Sequence, residues 1–323
     1  MTETSYIDAI TAALDDLLRE DPRVFLYGQD IGKFGGAFKT TKGLVEKHAG
    51  RVIDCPISED AMGGLALGAA LEGMRPIIEM QFADFSMIAL NQIINNCATH
   101  YYRTGLPVPV VFRLPSGGTP GGGPFHSQNM EALYAHYPGL IVLAPGTVAD
   151  ARSLLRDAVS IDDPVVFCEH KFLYRSLKGP MVDEDAALPW HRARIARTGQ
   201  HATVVTYSAM LHETLKAVAT LAADGWDVEV VDLRCLKPLD TDTVLASVAR
   251  TGRLLVVAET FPYGGVASEV ITAVTTNGFE LLDAPPQRLT SRDTPIPYHP
   301  DLWRAHRPTA HTIAEALRHL LAF

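Results

Sequence analysis

Side chains at the ends of predicted strands suit acid–base chemistry. The segment Pro56-Ile57-Ser58-Glu59 follows a short predicted strand and precedes a helix rich in glycine and alanine. Ligands of α/β sheets bind at the carboxyl ends of strands, so Glu59 is placed to protonate a heterocyclic nitrogen. The alternative is a structural role, in which Ser58 caps the helix and Glu59 interacts with its dipole.

Aromatic side chains and a histidine follow two further strands. In the segment QFADF, residues 81–85, either phenylalanine could be a core residue or could stack on a flat cofactor. The glycine-rich loop 117–123 leads to His126 and lacks the Gly-Lys-Ser/Thr sequence of a phosphate-binding loop. A histidine after such a loop suits a substrate cleft, where it can donate to a developing oxyanion. A structural role for His126 is equally open.

Two other places break the local pattern. The sequence YGQDIG at residues 27–32 ends a strand in a turn, which is ordinary turn chemistry or part of a site. Residues 158–164 end a helix whose free carbonyl groups could bind a metal ion or could simply be solvated.

These places are held by alternating helices and strands, which predict an α/β fold with a parallel sheet covered on both faces. Strands are predicted near residues 24–27, 51–54, 75–80, 108–113, 141–144 and 164–167, and a second α/β unit contains strands at 202–207, 228–233 and 254–258. A long, buried helix is predicted over Met87–Tyr102. The predicted domains are 1–178 and 197–323, joined by a linker at 179–196 that includes the acidic run 183–185 and could cross a neighbouring subunit.

Composition excludes several classes of function. The chain has 323 residues and a net charge of −9 without a basic run, which argues against nucleic-acid binding. Apolar stretches are too short to span a membrane, and the N-terminal residues indicate an acidic amphipathic helix instead of a signal peptide. The four cysteines form no CxxC pair, which favours neither zinc nor disulfides and fits a reducing cytoplasm.

Longer segments resemble one family. The segments RVIDCPISEDAMGGLALGAALEGMRPIIEMQFADF, HSQNMEALYAHYPGL, DDPVVFCEHKFLYR and VEVVDLRCLKPLDTDTV are similar, in the same order, to beta subunits of thiamine-diphosphate-dependent 2-oxo acid dehydrogenases. The similarity extends from about residue 21 to 259. It implies a transketolase-like architecture, with a parallel-sheet pyrimidine-binding domain followed by a transketolase C-terminal α/β domain.

The resemblance also implies roles for individual residues. Glu59 matches the glutamate that bonds the aminopyrimidine nitrogen of thiamine diphosphate, and Phe85 matches the aromatic residue that stacks on that ring. Ile57 and Gln81 are expected beside the cofactor. His126 matches the loop histidine that faces the substrate and the incoming lipoyl group. A potassium site of some members, built mainly from backbone carbonyls, matches Val110, Ala158, Ile161 and Asp163.

Half of an active site is missing from the sequence. No GDG motif for the diphosphate and Mg²⁺ is present, and the family carries that motif on an alpha subunit, which implies an α2β2 heterotetramer. Gln29 stands where the family commonly has an acid that belongs to a proton link between the two cofactors. An amide cannot relay protons in the same way.

The function implied is decarboxylation of a 2-oxo acid and transfer of the acyl group to a lipoyl acyltransferase core or another carrier protein. EMQFADF, HKFLYR and TGRLL are more similar to the branched-chain type than to the animal pyruvate type. The alternative is a split transketolase or acyloin-type transferase, which would pass a two-carbon or acyl unit to a sugar, an aldehyde or an acyl carrier protein.

Overall fold

The computed structural model describes residues 3–182 and 188–323. The acidic run 183–185 of the predicted linker therefore lies outside the described residues. Separately from the two larger sheets, β1 (Thr4–Ser5) pairs with β8 (Lys178–Gly179) in an antiparallel ribbon. The domain boundaries proposed from sequence stay predictions.

The N-terminal sheet has seven strands, and six of them are parallel, as the alternating pattern predicts. They are β2 (Val24–Gly28), β3 (Val52–Asp54), β4 (Arg75–Glu79), β5 (Val111–Ser116), β6 (Ile141–Leu143) and β7 (Val165–His170). The seventh, β12 (Cys235–Lys237), comes from the C-terminal half and pairs antiparallel with β6. The order across the sheet is β12-β6-β7-β5-β4-β2-β3.

Helices cover this sheet. They are α1 (Tyr6–Glu20), α2 (Leu44–Lys47), α3 (Glu59–Leu71), α4 (Ala98–Thr104), α5 (Glu131–His136), α6 (Val148–Ser160) and α7 (Leu173–Ser176). The α1 helix begins where the Ser5 hydroxyl accepts a hydrogen bond from the Asp8 amide. Its apolar face, which includes Ile10 and Leu14, is buried against α6.

The prediction of one long, buried helix over Met87–Tyr102 is wrong in its start and in its full burial, although the chain is helical from Asn91 onward. A 3₁₀ helix (Ala83–Met87) and a π-helical segment (Asn91–Cys97) precede α4. Met87 and Tyr102 are exposed, the latter by 93%. Ile93 and Cys97 are buried, so the apolar residues of this segment divide between the core and an exposed outer face.

The strand predicted at 108–113 begins later, at Val111. Proline at 107 and 109 removes two backbone donors, so the regular ladder cannot start there. The Val108 amide donates instead to the Asp162 carbonyl, at 3.0 Å.

The C-terminal sheet has five strands in the order β14-β13-β10-β11-β9, with β9 antiparallel. The strands are β9 (Arg194–Arg197), β10 (Ala202–Thr206), β11 (Val228–Asp232), β13 (Leu254–Val257) and β14 (Gln287–Leu289). The helices are α8 (Ala209–Ala223), α9 (Thr241–Thr251), α10 (Val266–Asn277), α11 (Pro300–His306) and α12 (Ala310–Leu321). In the part of the chain that the structure describes, no helix is long and apolar enough to cross a membrane.

Buried ion pairs fix the two sheets against each other. Asp150 of α6 accepts from Arg194 at 2.7 Å and from Arg234 at 2.8 Å. Arg194 also contacts Asp232 at 2.8 Å, and burial raises the pKa of Asp232 to about 6. Buried charges of this kind are costly to separate, so the network holds the halves in one arrangement.

Candidate active site

Three rings from two separate segments meet at one end of the N-terminal sheet. The His126 ring lies 4.6 Å from the Phe82 ring and 5.6 Å from the Phe85 ring, with edge-to-face geometry. The two phenylalanine rings are 5.5 Å apart. We call these three residues the aromatic cluster. The structure thus brings the loop histidine against the strand-end aromatic residues.

Hydrogen bonds hold the histidine loop in this position. The Gly117 amide donates to the Gln128 carbonyl at 3.1 Å, which closes the base of the loop. The Gln128 amide donates to the Asp84 carboxylate at 3.1 Å and ties the loop to the 3₁₀ helix beside Phe85. Gly117 has a φ of +76°, and a Cβ atom there would overlap the imidazole of His170. Glycine is therefore required at this position.

Glu59 opens α3 and is only 5% exposed. Ser58 occupies the N-cap but its side chain makes no capping hydrogen bond, so the capping role considered for Ser58 is wrong. Within residues 3–182 and 188–323, no side chain or amide forms a hydrogen bond or ion pair with the Glu59 carboxylate. The carboxylate is thus buried and available to a ligand.

The other expected cofactor residues lie on the same sheet edge. The strands β3, β2 and β4 are neighbours, and Ile57 and Gln81 follow β3 and β4 respectively. Ile57 is 80% exposed, while Gln81 is half-buried and donates to Asp30 at 3.3 Å. An exposed isoleucine beside a buried carboxylate suits contact with a ligand or a partner chain.

The glycine and alanine residues of α3 allow it to pack closely against the π-helical segment, as their number in the sequence predicts. A Cβ atom at Gly63 would lie 2.7 Å from the Cβ atom of Gln92 in the π-helical segment. Gln92 also donates to Asp60 at 3.2 Å. The position of Glu59 is therefore fixed by packing between α3 and the next segment of chain.

Gln29, the amide at the position of the family's acid, is buried at the end of β2. Its Nε2 atom donates to the sulfur of Met62 in α3, at 3.7 Å. Gln29 therefore packs against the helix that carries Glu59.

Sequence reasoning missed a buried charged group beneath the site. Arg113 is 1% exposed and contacts Glu79 at 2.5 Å and Glu169 at 2.5 Å. Thr40 and Tyr174 donate to these two carboxylates. Burial raises the pKa of Glu79 in spite of the guanidinium. Charged residues inside otherwise apolar strands were the signal that could have identified this group.

Lys171 was also missed. Its ammonium group is buried, donates to the Pro115 carbonyl at 3.0 Å and lies 5.5 Å from the centre of the Phe82 ring. Burial lowers the pKa of Lys171 to about 8. The lysine therefore places an amino group beside the aromatic cluster, where its protonated form interacts with the face of the Phe82 ring.

The residues matched to a potassium site come from two adjacent segments. The Val110 carbonyl accepts from the Val165 amide at 2.9 Å, and the Ile161 carbonyl accepts from Arg75 at 3.2 Å. Ala158 is buried and Asp163 is exposed. A carbonyl oxygen has two lone pairs, so both carbonyls keep capacity for a cation.

Comparison with known proteins identifies the two halves of the chain. The family description "Transketolase, pyrimidine binding domain" matches residues 2–176, and "Transketolase, C-terminal domain" matches residues 191–313. A solved structure described as a split gene transketolase, an inactive beta4 tetramer, superposes with a TM-score of 0.82 at 24% identity. It covers 98% of each chain and shows that the fold is shared.

Curated relatives are similar over nearly the whole length. The 2-oxoisovalerate dehydrogenase subunit beta of Bacillus subtilis is 42% identical and is covered, like this chain, over 100% of its length. The mitochondrial pyruvate dehydrogenase E1 component subunit beta-2 of Oryza sativa is 41% identical over 98% of this chain and 86% of its own. The mitochondrial E1 beta subunit of Caenorhabditis elegans is 41% identical over 96% and 90%. This chain therefore belongs to the transketolase-like family, among the E1 beta subunits of thiamine-diphosphate-dependent pyruvate and 2-oxoisovalerate dehydrogenases.

Proposed function

We propose that this chain is the beta subunit of a heteromeric 2-oxo acid dehydrogenase that acts with an alpha subunit. The enzyme decarboxylates a branched-chain 2-oxo acid or pyruvate and transfers the acyl group to a lipoyl carrier. The observation that carries the proposal is the buried Glu59 carboxylate, which has no partner among the described residues and shares a sheet edge with Phe85.

Glu59 fits an aminopyrimidine ring. A buried carboxylate without a hydrogen-bond donor is costly, and a protonated ring nitrogen would supply that donor. Its negative charge would in turn hold the proton on the nitrogen. Thiamine diphosphate, when bound, supplies the carbon nucleophile and the electron sink needed for loss of carbon dioxide.

Phe85 and His126 divide the remaining tasks. Phe85 would stack on the pyrimidine, and Ile57 and Gln81 would border it. His126, held against Phe82 and Phe85, would donate to the oxygen of the substrate as charge develops there. Lys171 is a positioning residue in this scheme, because its ammonium group lies against the Phe82 ring.

An alpha subunit would complete the site. The sequence lacks the GDG motif that holds the diphosphate and Mg²⁺, so the partner would provide most of the Mg²⁺ ligands in an α2β2 assembly. Exposed apolar side chains on α3, just before it and on the helical segments that follow β4 support such a contact, and they include Ile57, Leu65, Met87, Ile88, Tyr101 and Tyr102. The carbonyls of Val110, Ala158 and Ile161, with Asp163, would hold a potassium ion.

A lipoyl acyltransferase core is the proposed acyl acceptor, and the cytoplasm is the proposed location. The second proposal rests on four thiols that form no disulfide in the described ranges: Cys55, Cys97, Cys168 and Cys235. A reducing compartment keeps such thiols free.

Copurification with the alpha subunit tests the proposed function. The complex should release carbon dioxide from 3-methyl-2-oxobutanoate or pyruvate and acylate a lipoyl domain, whereas the isolated chain should neither react nor bind thiamine diphosphate tightly. Transfer to a sugar or aldehyde without any lipoyl acylation would contradict the assignment and favour a transketolase or acyloin-type reaction.

A further inference from the structure

A cavity of about 320 Å³ lies between the two sheets, apart from the aromatic cluster. It is bordered by the end of β7, by α7, by α8 and by the end of α11. Its volume is within the range of small-molecule sites. Leu173, Leu177 and Trp303 line one part of it, and Arg307 and Glu259 line another. We call it the Arg307 cavity.

Arg307 is a buried cation whose hydrogen-bonding capacity is largely unused. Its side chain is 8% exposed, and its guanidinium carbon lies 4.6 Å from the Trp303 ring. The nearest carboxylate contacts are long, at 4.0 Å to Glu213 and 3.9 Å to Glu259. Its Nε atom has no hydrogen-bond partner among the residues described. A buried guanidinium in this state favours an acceptor from outside the chain.

Glu259, an anion that lines the same cavity, lacks a hydrogen-bond donor among the described residues on one of its two oxygens. Its Oε1 atom accepts from the Gly118 amide at 3.3 Å, but its Oε2 atom makes no aligned hydrogen bond within the described ranges. The Nε2 atom of His170 lies 3.2 Å from that Oε2 atom, but the two atoms are not aligned for a hydrogen bond. Glu259 therefore favours an additional donor.

The charges of the cavity are balanced, which restricts the ligand further. Arg307 and Lys216 oppose Glu213 and Glu259. Glu213 is already occupied by the Ala310 amide at 2.9 Å and by Lys216 at 3.2 Å. Among the Arg, Lys and Glu side chains this leaves Arg307 and Glu259, beside an apolar wall and the imidazoles of His170 and His212. A zwitterion satisfies both charges, whereas a simple anion leaves the Oε2 atom of Glu259 without a donor.

We propose that the Arg307 cavity binds an aliphatic α-amino acid. Its carboxylate would pair with Arg307, its ammonium group would donate to Glu259, and its side chain would contact Leu173 and Leu177. The proposal is independent of the reaction assigned to the active site.

The cavity also adjoins the histidine loop. Glu259 holds this loop twice, through Gly118 and through its own carbonyl, which accepts from Asn129 at 2.7 Å. A ligand that engages Glu259 would therefore contact the anchor of the loop that carries His126. Binding should protect the segment around residues 117–126 from proteolysis and change the fluorescence of Trp303.

Calorimetry on the complex with the alpha subunit tests the proposal. The probes are L-leucine, its deaminated analogue 4-methylpentanoate and its uncharged-carboxyl analogue leucinamide. We expect L-leucine to bind at least tenfold more tightly than either analogue. Absence of L-leucine binding, or equal affinity for 4-methylpentanoate, would overturn the proposal.

Substitutions locate the site. Arg307→Met should weaken L-leucine binding at least tenfold, while Arg304→Met, on the exposed face of the helix that Arg307 follows, should leave it unchanged. Ser176→Trp at the exposed rim should also weaken binding, and this variant serves if Arg307→Met does not fold. Equal affinity in the wild type and the Ser176→Trp variant would place the ligand elsewhere.

Discussion

At the scale of single residues, Glu59 separates a chemical role from a structural one. A glutamine in its place would keep the size of the side chain but could not supply the charge that holds a proton on a ring nitrogen. We therefore expect Glu59→Gln to lower turnover by about 10²–10⁴ with little change in melting temperature. The matched control is Glu72→Gln at the exposed end of the same helix. Normal exchange of the cofactor C2 proton in the variant would argue against the proposed role.

His126 gives a second residue-scale prediction. The ring lies in a loop and contacts Phe82 and Phe85, so His126→Ala should impair acyl transfer by about 10²–10⁴. Cofactor affinity should stay unchanged, because the carboxylate of Glu59 is untouched. His136→Ala, at an exposed helix end, is the control. Parallel losses of acyl transfer and cofactor affinity would mean that His126 supports the cofactor instead.

Sequence reasoning proposed these two residues but not the buried groups that pack near them. Glu59 and His126 can be singled out from neighbouring residues alone, because Glu59 follows a predicted strand and His126 follows a glycine-rich loop. Arg113 and Lys171 were missed because each acts through partners distant in the chain, such as Glu169 and Phe82. A charged residue within an apolar strand can be noticed in the sequence, but the sequence does not show which residue pairs with it.

At the scale of elements, the strand pattern predicted the parallel sheet and the helices that cover it. The N-terminal sheet also contains β12, which lies more than ninety residues beyond β6 in the chain. No local sequence pattern indicates such a pairing. The segment Met87–Tyr102, which exposes one apolar face, shows the second limit. Apolar residues on most faces of a helix indicate burial, but the burial can belong to a partner chain.

The histidine loop supplies an element-scale prediction. Gly117→Ala would place a methyl group against His170 and would force an alanine to a φ of +76°. Gly121 has a similar φ of +87° but open space around its Cβ position, so Gly121→Ala introduces the backbone strain alone. We expect each variant to lose about 1–2 kcal/mol from the left-handed conformation, and Gly117→Ala to lose more. Equal melting temperatures would show that His170 moves aside freely.

Potassium gives a second element-scale prediction, since the proposed ligands join the end of α6 to the start of β5. An ion that binds only the folded protein stabilises it by about 2.7 kcal/mol at one hundred times its Kd. The complex should therefore melt at a lower temperature when choline replaces potassium. Asp163→Asn should reduce this difference. An identical melting temperature in both salts would contradict the potassium site. The carbonyls of Val110 and Ile161 would then serve only as hydrogen-bond acceptors for Val165 and Arg75.

At the scale of the whole molecule, buried polar contacts join the two halves at several places. The pairs of Asp150 with Arg194 and Arg234 form one junction, and the contacts of Glu259 with Gly118 and Asn129 form another. A third is the hydrogen bond from the Tyr207 hydroxyl to Glu131, at 3.0 Å. Because the junctions are charged or titratable, the stability of the assembly depends on pH.

Glu131 makes this dependence measurable. Burial raises the pKa of Glu131 from 4.5 to about 7, so the folded protein retains a proton that the unfolded chain has released. The contribution of this group to stability is complete below about pH 4.5 and is lost as the pH rises towards 7. The loss is on the order of 3 kcal/mol, at about 1.4 kcal/mol for each unit of pKa.

Glu131→Gln should remove this part of the pH dependence, because glutamine does not titrate and can still accept the hydrogen bond from Tyr207. We expect the variant to be more stable than the wild type at pH 8 and similar at pH 5, in denaturant unfolding of the complex with the alpha subunit. Tyr207→Phe is the companion variant, since removal of the donor should raise the pKa of Glu131 further and move the loss of stability to higher pH. A constant difference between the wild type and Glu131→Gln across pH 5–8 would mean that Glu131 is already ionised in the folded protein, with water satisfying its second oxygen at the junction of the two sheets.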